Sequence, residues 1–392
     1  MRYRFRHRVT FAIFRKVFEW YARLKYHYTF DRFEETDEPY LILGNHTQAL
    51  DPVFMAFSFK RPIYYVASTM IYNLRVWSKV LDYLVAPIPI NKFRSDLRST
   101  KAILKTLREG QHVALYPEGN TSFSGGQMPI DIAIAKLVKK AKVKVVFHTI
   151  EGGHLSHPRW AKHGRKGFMH GSVKRIMTVE EIAQLDLDSL YGEIMSTLYV
   201  NDFERFTDTP FKGKNKAINF ESAYVVCPHC HKLETLFSKG DHITCTQCAF
   251  DVSVNDYGRF EAHFEGRYFT TTLPWFDDQI AVFKSLVASR SDTDELFHDA
   301  GESLYEIRDL KPKKKLDVVS IHLSKSALIL KGSKVNETFD PLDVDPAVQH
   351  RNGLIIYHRP TAKTYYLLSD EKRSALKYVS MIKILQKETS YV

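Results

Sequence analysis

The sequence predicts a mixed α/β chain: a mostly parallel sheet flanked by helices, then a small four-cysteine module, then a β-rich C-terminal region. Three observations carry this. Between Tyr40 and Ile150 short apolar runs alternate with helix-length segments, the pattern of strands joined by crossover helices. All four cysteines fall in two C-x2-C pairs, Cys227 with Cys230 and Cys245 with Cys248. The last part of the chain is a series of strand-like runs closing on one helical segment.

Within the first region, Tyr40 to Leu43 reads as a strand, Pro52 to Phe59 as a helix and Ile63 to Val66 as a strand. Ser95 to Arg108 comes next as a helix stopped by Gly110, then His112 to Tyr116 as a strand, Asp131 to Lys140 as a helix and Val143 to Ile150 as a strand. Chemistry in such sheets collects at strand ends. Pro210, Gly213 and a run of lysines mark the end of this domain, taken as residues 31–210. The cysteine module is taken as 222–262, with strand-like Tyr224 to Val226 and Phe250 to Val254 on its flanks. Residues 263–312 are read as a helical connector and linker, and 313–392 as a β-rich domain with a C-terminal helix from Ser374 to Lys387. That last order resembles a pleckstrin-homology domain.

Residues 1–30 have a different character. Val9, Ile13, Phe14, Val17, Trp20, Tyr21 and Leu24 recur at spacings of three and four, with Arg8, Arg15, Lys16, Arg23 and Lys25 among them. This is a basic amphipathic helix suited to the headgroup layer of a membrane. No run reaches the ~18 apolar residues of a membrane-spanning helix. The basic start resembles a signal-peptide n-region, but Arg15, Lys16 and Glu19 break up the residues after it before an apolar region develops, so the N-terminus is expected to be retained.

Lys plus Arg number 56 against 45 Asp plus Glu, a formal charge of +11, which calls for a negatively charged partner. An anionic membrane surface is expected, with the chain peripheral or monotopic on its cytoplasmic side. The absence of any further cysteine argues against a disulfide framework and for metal binding in a reducing compartment. Sequons at Asn45, Asn120 and Asn336 are read as chance, the first two because they fall inside candidate site motifs.

Two clusters carry chemistry. The first is Gly44-Asn45-His46-Thr47-Gln48-Ala49-Leu50-Asp51, directly after a strand. Histidine can accept a proton near neutral pH if something orients its ring, and Asp51 is the candidate. Five residues apart on one helix they would be turned ~140° from each other, so His46 belongs on the bend before the helix. Asp51-Pro52 also reads as an N-cap followed by proline at the first helical position. The second cluster, Pro117-Glu118-Gly119-Asn120-Thr121-Ser122, comes after the strand His112 to Tyr116. Backbone amides around Gly119 could approach a phosphate or oxyanion.

These motifs resemble the glycerolipid acyltransferase family, whose first motif is N-H-x4-D and whose third is F-P-E-G-T-R-S. Asn45, His46 and Asp51 match the first. Tyr116 to Gly119 matches the third with Tyr for Phe, and Asn120-Thr121-Ser122 stands where the family has Thr-Arg-Ser. The second motif, ending in Phe-Ile-x-Arg, corresponds to Pro89-Ile90-Asn91-Lys92, with Arg94 close by. A fourth is expected around Phe147 to Pro158, where Arg159 is a further candidate phosphate ligand. The resemblance covers roughly residues 30 to 200 and implies catalysis by His46 with Asp51. It implies substrate contacts from Asn45, Lys92, Arg94, Glu118, Gly119 and Asn120. The reaction it implies is direct transfer from an acyl thioester, acyl-CoA or acyl-carrier protein, to a lysophospholipid hydroxyl, 1-acylglycerol-3-phosphate foremost. No G-x-S-x-G elbow suggests an acyl-enzyme.

The spacing C-x2-C-x14-C-x2-C resembles a zinc ribbon, in which four thiolates fill a structural zinc site and leave no position for substrate. Ribbons dock on proteins or nucleic acid. A nucleic-acid binder, or a non-catalytic lipid-binding scaffold, is the alternative reading. Neither needs the intact His46 and Asp51, so a protein partner for the ribbon is expected.

Overall fold

The computed structural model describes residues 5–68, 86–90, 97–308, 311–349, 352–369 and 373–388. The chain forms two compact units, Met1–Pro158 with Arg165–Lys212, and Arg159–Gly164 with Gly213–Val392.

The first unit holds β1 (Tyr28–Phe30), β2 (Tyr40–Gly44), β3 (Ile63–Ser68), β4 (Ile88–Ile90), β5 (His112–Leu115), β6 (Lys144–Glu151) and β7 (Met169–Met177) in one sheet of order β1-β7-β6-β2-β5-β3-β4. All neighbours are parallel except β6 and β7. The expected fold class therefore holds, with one antiparallel pair that the periodicity did not reveal. β2 is buried along its whole length, as a central strand covered on both faces must be. Side chains alternate across it. Leu41 and Leu43 join Ile103, Leu107, Val138 and Leu190 in one core, supplied by the helices Leu97–Arg108, Ala133–Ala141 and Leu187–Leu198. Tyr40 and Ile42 join Met55 and Phe59 on the other face, where the helix Asp51–Ser58 lies.

The helix Phe5–Tyr26 packs through Ala22 and Tyr26 onto Phe54 and Phe57. Its periodic apolar residues face the other way. Ile13, Val17, Trp20 and Leu24 are 58%, 58%, 67% and 55% exposed. Among the described residues, no helix is long and apolar enough to cross a membrane.

In the second unit β8 (Leu236–Lys239), β9 (His242–Cys245), β10 (Asp251–Val254) and β11 (Phe260–Ala262) form an antiparallel sheet in reverse order. Tyr224–Val226, expected as a strand, contributes only a single bridge from Val226 to Leu233. Tyr224 instead turns inward, stacking on Phe220 and packing against Trp275 of the helix Thr272–Ser289.

A seven-stranded antiparallel sheet comes next: β12 (Phe297–Arg308), β13 (Lys311–Leu323), β14 (Leu328–Gly332), β15 (Asn336–Phe339), β16 (Val344–Gln349), β17 (Gly353–His358) and β18 (Lys363–Leu368). Its order is β15-β14-β13-β12-β18-β17-β16, and the helix Ala375–Leu385 comes last, capped by the Ser374 hydroxyl. The stretch read as linker up to 312 is thus largely β12 and the start of β13. Its alternation is hidden because register shifts interrupt it between Asp299 and Glu302 and again beyond Leu304. A charged residue, Glu302, also takes a fully buried position, paired with Arg373.

Candidate active site and metal centre

β2 ends at Gly44, and the chain then bends through His46 into the helix that starts at Asp51. The bend brings His46 Nδ1 to 2.9 Å from Asp51 Oδ2. Asp51 is not the N-cap; Leu50 is, with Pro52 in the first turn. The Asp51 carboxylate reaches backward instead. Oδ2 accepts the N–H groups of Thr47 at 2.6 Å and Gln48 at 2.9 Å, and Oδ1 accepts the Thr47 hydroxyl at 3.0 Å. A fully buried carboxylate needs such donors. They also fix it against the imidazole, whose Nδ1–H then donates to it and leaves Nε2 as the basic nitrogen.

Asn45 was expected to touch substrate. Its amide is engaged at both ends by the backbone of Ile150, with Oδ1 accepting the N–H at 2.8 Å and Nδ2 donating to the carbonyl at 2.9 Å. It pins the bend to β6.

β5 lies beside β2, Leu43 opposite Leu115, so the Pro117–Ser122 turn meets the His46 bend. Glu118 Oε1 accepts the His46 N–H at 2.9 Å and Oε2 the Met128 N–H at 3.0 Å. Burial pushes its carboxyl up to about 8, against the pull of those two amides. Glu118 thus ties three segments together. The Gly119 N–H, expected to approach a phosphate or oxyanion, donates to Tyr116 O at 3.0 Å. Asn120 is half-buried beside it. The Tyr116 ring stacks on His46, centroids 4.6 Å apart. That packing requires glycine at 44, where a Cβ would stand 2.5 Å from Met55 Cε and 2.8 Å from Tyr116 Cε1.

A small cleft opens here, lined by His46, Glu118, Ser122, Gln127, His154 and Leu198 among others. His154 and Asp202 were missed in the sequence. Asp202 is buried and accepts the N–H groups of Gly152 at 2.7 Å and His154 at 2.9 Å; burial raises its carboxyl to about 6. Burial, and after it the charge of Arg165, pushes His154 down to about 3, so it is a neutral ring at the cleft wall. The expected fourth motif around 147–158 was a sequence signal for His154 alone.

Lys92 and Arg94 lie outside the described residues. Arg159 falls in the second unit, where its Nη2 donates to Val348 O at 2.8 Å.

In the ribbon the four thiols converge, each within 4.8 Å of the others. Cys227 and Cys248 Sγ are 3.7 Å apart, Cys230 and Cys245 Sγ 3.8 Å. A disulfide would need about 2 Å. A tetrahedral ion with metal–sulfur bonds of about 2.3 Å puts its sulfurs about 3.8 Å apart, so the set fits a metal. The nearby histidines point to other partners: His242 Nδ1 lies 2.9 Å from Asp251 Oδ1, and His231 Nε2 2.9 Å from Arg267 Nη1.

Residues 23–151 match the model of the family described as Acyltransferase. A curated relative, 1-acyl-sn-glycerol-3-phosphate acyltransferase of Borreliella burgdorferi, is 24% identical over 147 residues, 36% of this chain and 55% of the relative. The chain spans about half the length of that relative. Over residues 23–151 the chain is thus similar to acyltransferases. Among solved structures, the 1-acyl-sn-glycerophosphate (LPA) acyltransferase PlsC from Thermotoga maritima is similar over 49% of this chain and 76% of its own, at 13% identity and a TM-score of 0.41.

Proposed function

We propose that the chain transfers a fatty acyl group from an acyl thioester, acyl-CoA or acyl-carrier protein, to a free hydroxyl of a lysophospholipid, 1-acylglycerol-3-phosphate foremost. The observation that carries this is the His46–Asp51 pair at 2.9 Å on the bend after β2. His46 Nε2 takes the acceptor hydroxyl's proton as the oxygen attacks the thioester carbonyl. The tetrahedral intermediate collapses with cleavage of the C–S bond, and His46 returns the proton to the leaving thiolate. Asp51 holds the ring and balances the imidazolium. Asn45 and Glu118 position the bend, Asn120 faces substrate, and Lys92 with Arg94 take the acceptor phosphate as their motif position implies.

The same reading assigns structural zinc to Cys227, Cys230, Cys245 and Cys248, and a protein-docking role to the ribbon. The outward apolar stripe of the first helix supports contact with an anionic membrane surface on its cytoplasmic side. The seven antiparallel strands with a closing helix support the likeness to a pleckstrin-homology domain.

The test is acyl transfer from labelled acyl-CoA and acyl-carrier protein to a panel of lysolipids. Transfer to one acceptor by wild type, lost in His46→Ala, is the expected result; no transfer from either donor to any acceptor would overturn the reading.

A further inference from the structure

A second cleft, of about 750 Å³, lies at the other end of the sheet. It is lined by Lys60, Arg61 and Pro62 just before β3, Asp37 before β2 and Gln111 before β5, together with Arg32 and the first helix. β2, β3 and β5 run parallel, and His46 lies past the far end of β2. The cleft is therefore a separate place from the candidate active site.

Its charge is lopsided. Arg15, Lys16, Arg32, Lys60 and Arg61 face Glu19 and Asp37. Arg61 is committed to the carbonyls of Thr36, Glu38 and Gly110, and Arg15 to that of Phe59. Glu19 is taken by Arg23. Lys16, Arg32 and Lys60 are exposed. Glu35 accepts the backbone N–H groups of Lys60 and Arg61, but among the described residues no carboxylate forms a salt bridge with the side chains of Lys16, Arg32 or Lys60. Such a set attracts a phosphate group.

The first helix identifies the source of that phosphate. Lys16 comes three residues after Ile13 and four before Trp20, so it sits on the rim of the exposed apolar stripe. A bilayer touching the stripe brings its phosphate layer to the level of Lys16 and the mouth of the cleft. We propose that this cleft binds the phosphate headgroup of an anionic membrane phospholipid, as a docking site distinct from the acceptor site. The proposal rests on the membrane-contact reading above.

The experiment is co-sedimentation of the full chain with vesicles of phosphatidylcholine alone and of phosphatidylcholine with phosphatidylglycerol. It compares wild type, the combined Lys16→Glu, Arg32→Glu, Lys60→Glu variant and Trp20→Glu. Wild type is expected to prefer the anionic vesicles by roughly 100-fold, since each cation near a surface contributes about a fivefold factor. The combined variant should lose that preference while still binding neutral vesicles, and Trp20→Glu should weaken binding to both. Should the combined variant fail to fold, Lys16→Gln alone is expected to lower the preference about fivefold.

If Trp20→Glu weakens binding but the combined variant keeps the full preference, the cleft proposal is overturned and the helix contact stands. If no vesicle binds wild type, both fall. Soluble glycerol phosphate that abolishes the preference at concentrations too low to alter ionic strength would identify a free phosphate ligand and overturn the bilayer assignment.

Discussion

At the His46 bend burial is graded: the Asp51 side chain is 0% exposed, the His46 side chain 19%. In the ribbon the four cysteine sulfurs all face one another. Both places are short turns that aim polar atoms at a point, yet only the bend leaves one atom over. The buried partner there is saturated by Thr47 and Gln48, which keeps the ring fixed while its outer nitrogen meets the cleft. A pair that leaves one nitrogen over suits a reactive site, and a quartet whose sulfurs all face one another suits a staple.

The largest expected effect separates the two. His46→Ala should lower the acyl-transfer kcat by roughly 10³-fold, the scale of a lost general base, with the circular dichroism spectrum unchanged. Asp51→Asn should cost roughly 10²-fold in kcat through the misoriented ring, and about 1 to 3 kcal/mol of stability in denaturant titration because an amide cannot accept all the donors it inherits. A paired Cys230→Ser, Cys248→Ser variant should reverse the pattern. It would lose metal by elemental analysis and lose hydrogen-exchange protection in β8 to β11, while kcat toward a micellar acceptor stays within a few-fold. A fall in kcat as deep as that of His46→Ala would break the contrast between the two places.

Smaller effects sharpen the bend side. Gly44→Ala forces Met55 or Tyr116 to move and should cost about 1 to 3 kcal/mol in thermal or chemical unfolding. Glu118 sets a pH dependence. Its folded carboxyl titrates near 8 against 4.5 unfolded, so between those values the folded chain holds a proton the unfolded chain has released. Stability should therefore fall as pH rises through that window, with a slope below the ~1.4 kcal/mol per pH unit of one full proton. Glu118→Gln should flatten the slope in urea titrations at pH 5, 6.5 and 8.

How much of this was legible depended on how local each interaction is. His46 and Asp51 could be paired from their spacing because a single bend joins them. Glu118 could be seen as a carboxylate at a strand end, but its grip on the His46 N–H depends on Leu43 lying opposite Leu115, a register no local pattern encodes. Asp202, which holds the loop around His154, lies about fifty residues from its partners and carried no signal. The first helix shows a third kind of limit. Its periodicity defines an apolar stripe, but a period alone does not say which way the stripe faces, and here it faces out. β12 was hidden because register shifts break its alternation.

The two-ended grip of Asn45 on Ile150 has a consequence for production of the protein. Asn45-His46-Thr47 is an acceptor tripeptide for N-linked sugars, and sugar is added through the same Nδ2 that donates to the Ile150 carbonyl. Once folded, the side chain is 3% exposed and out of a transferase's reach. A chain threaded unfolded into a glycosylating lumen would instead acquire a glycan at that nitrogen and be unable to close the bend. Expression in a secretory host should therefore give misfolded, endoglycosidase-sensitive material, and cytosolic expression is the route to active protein.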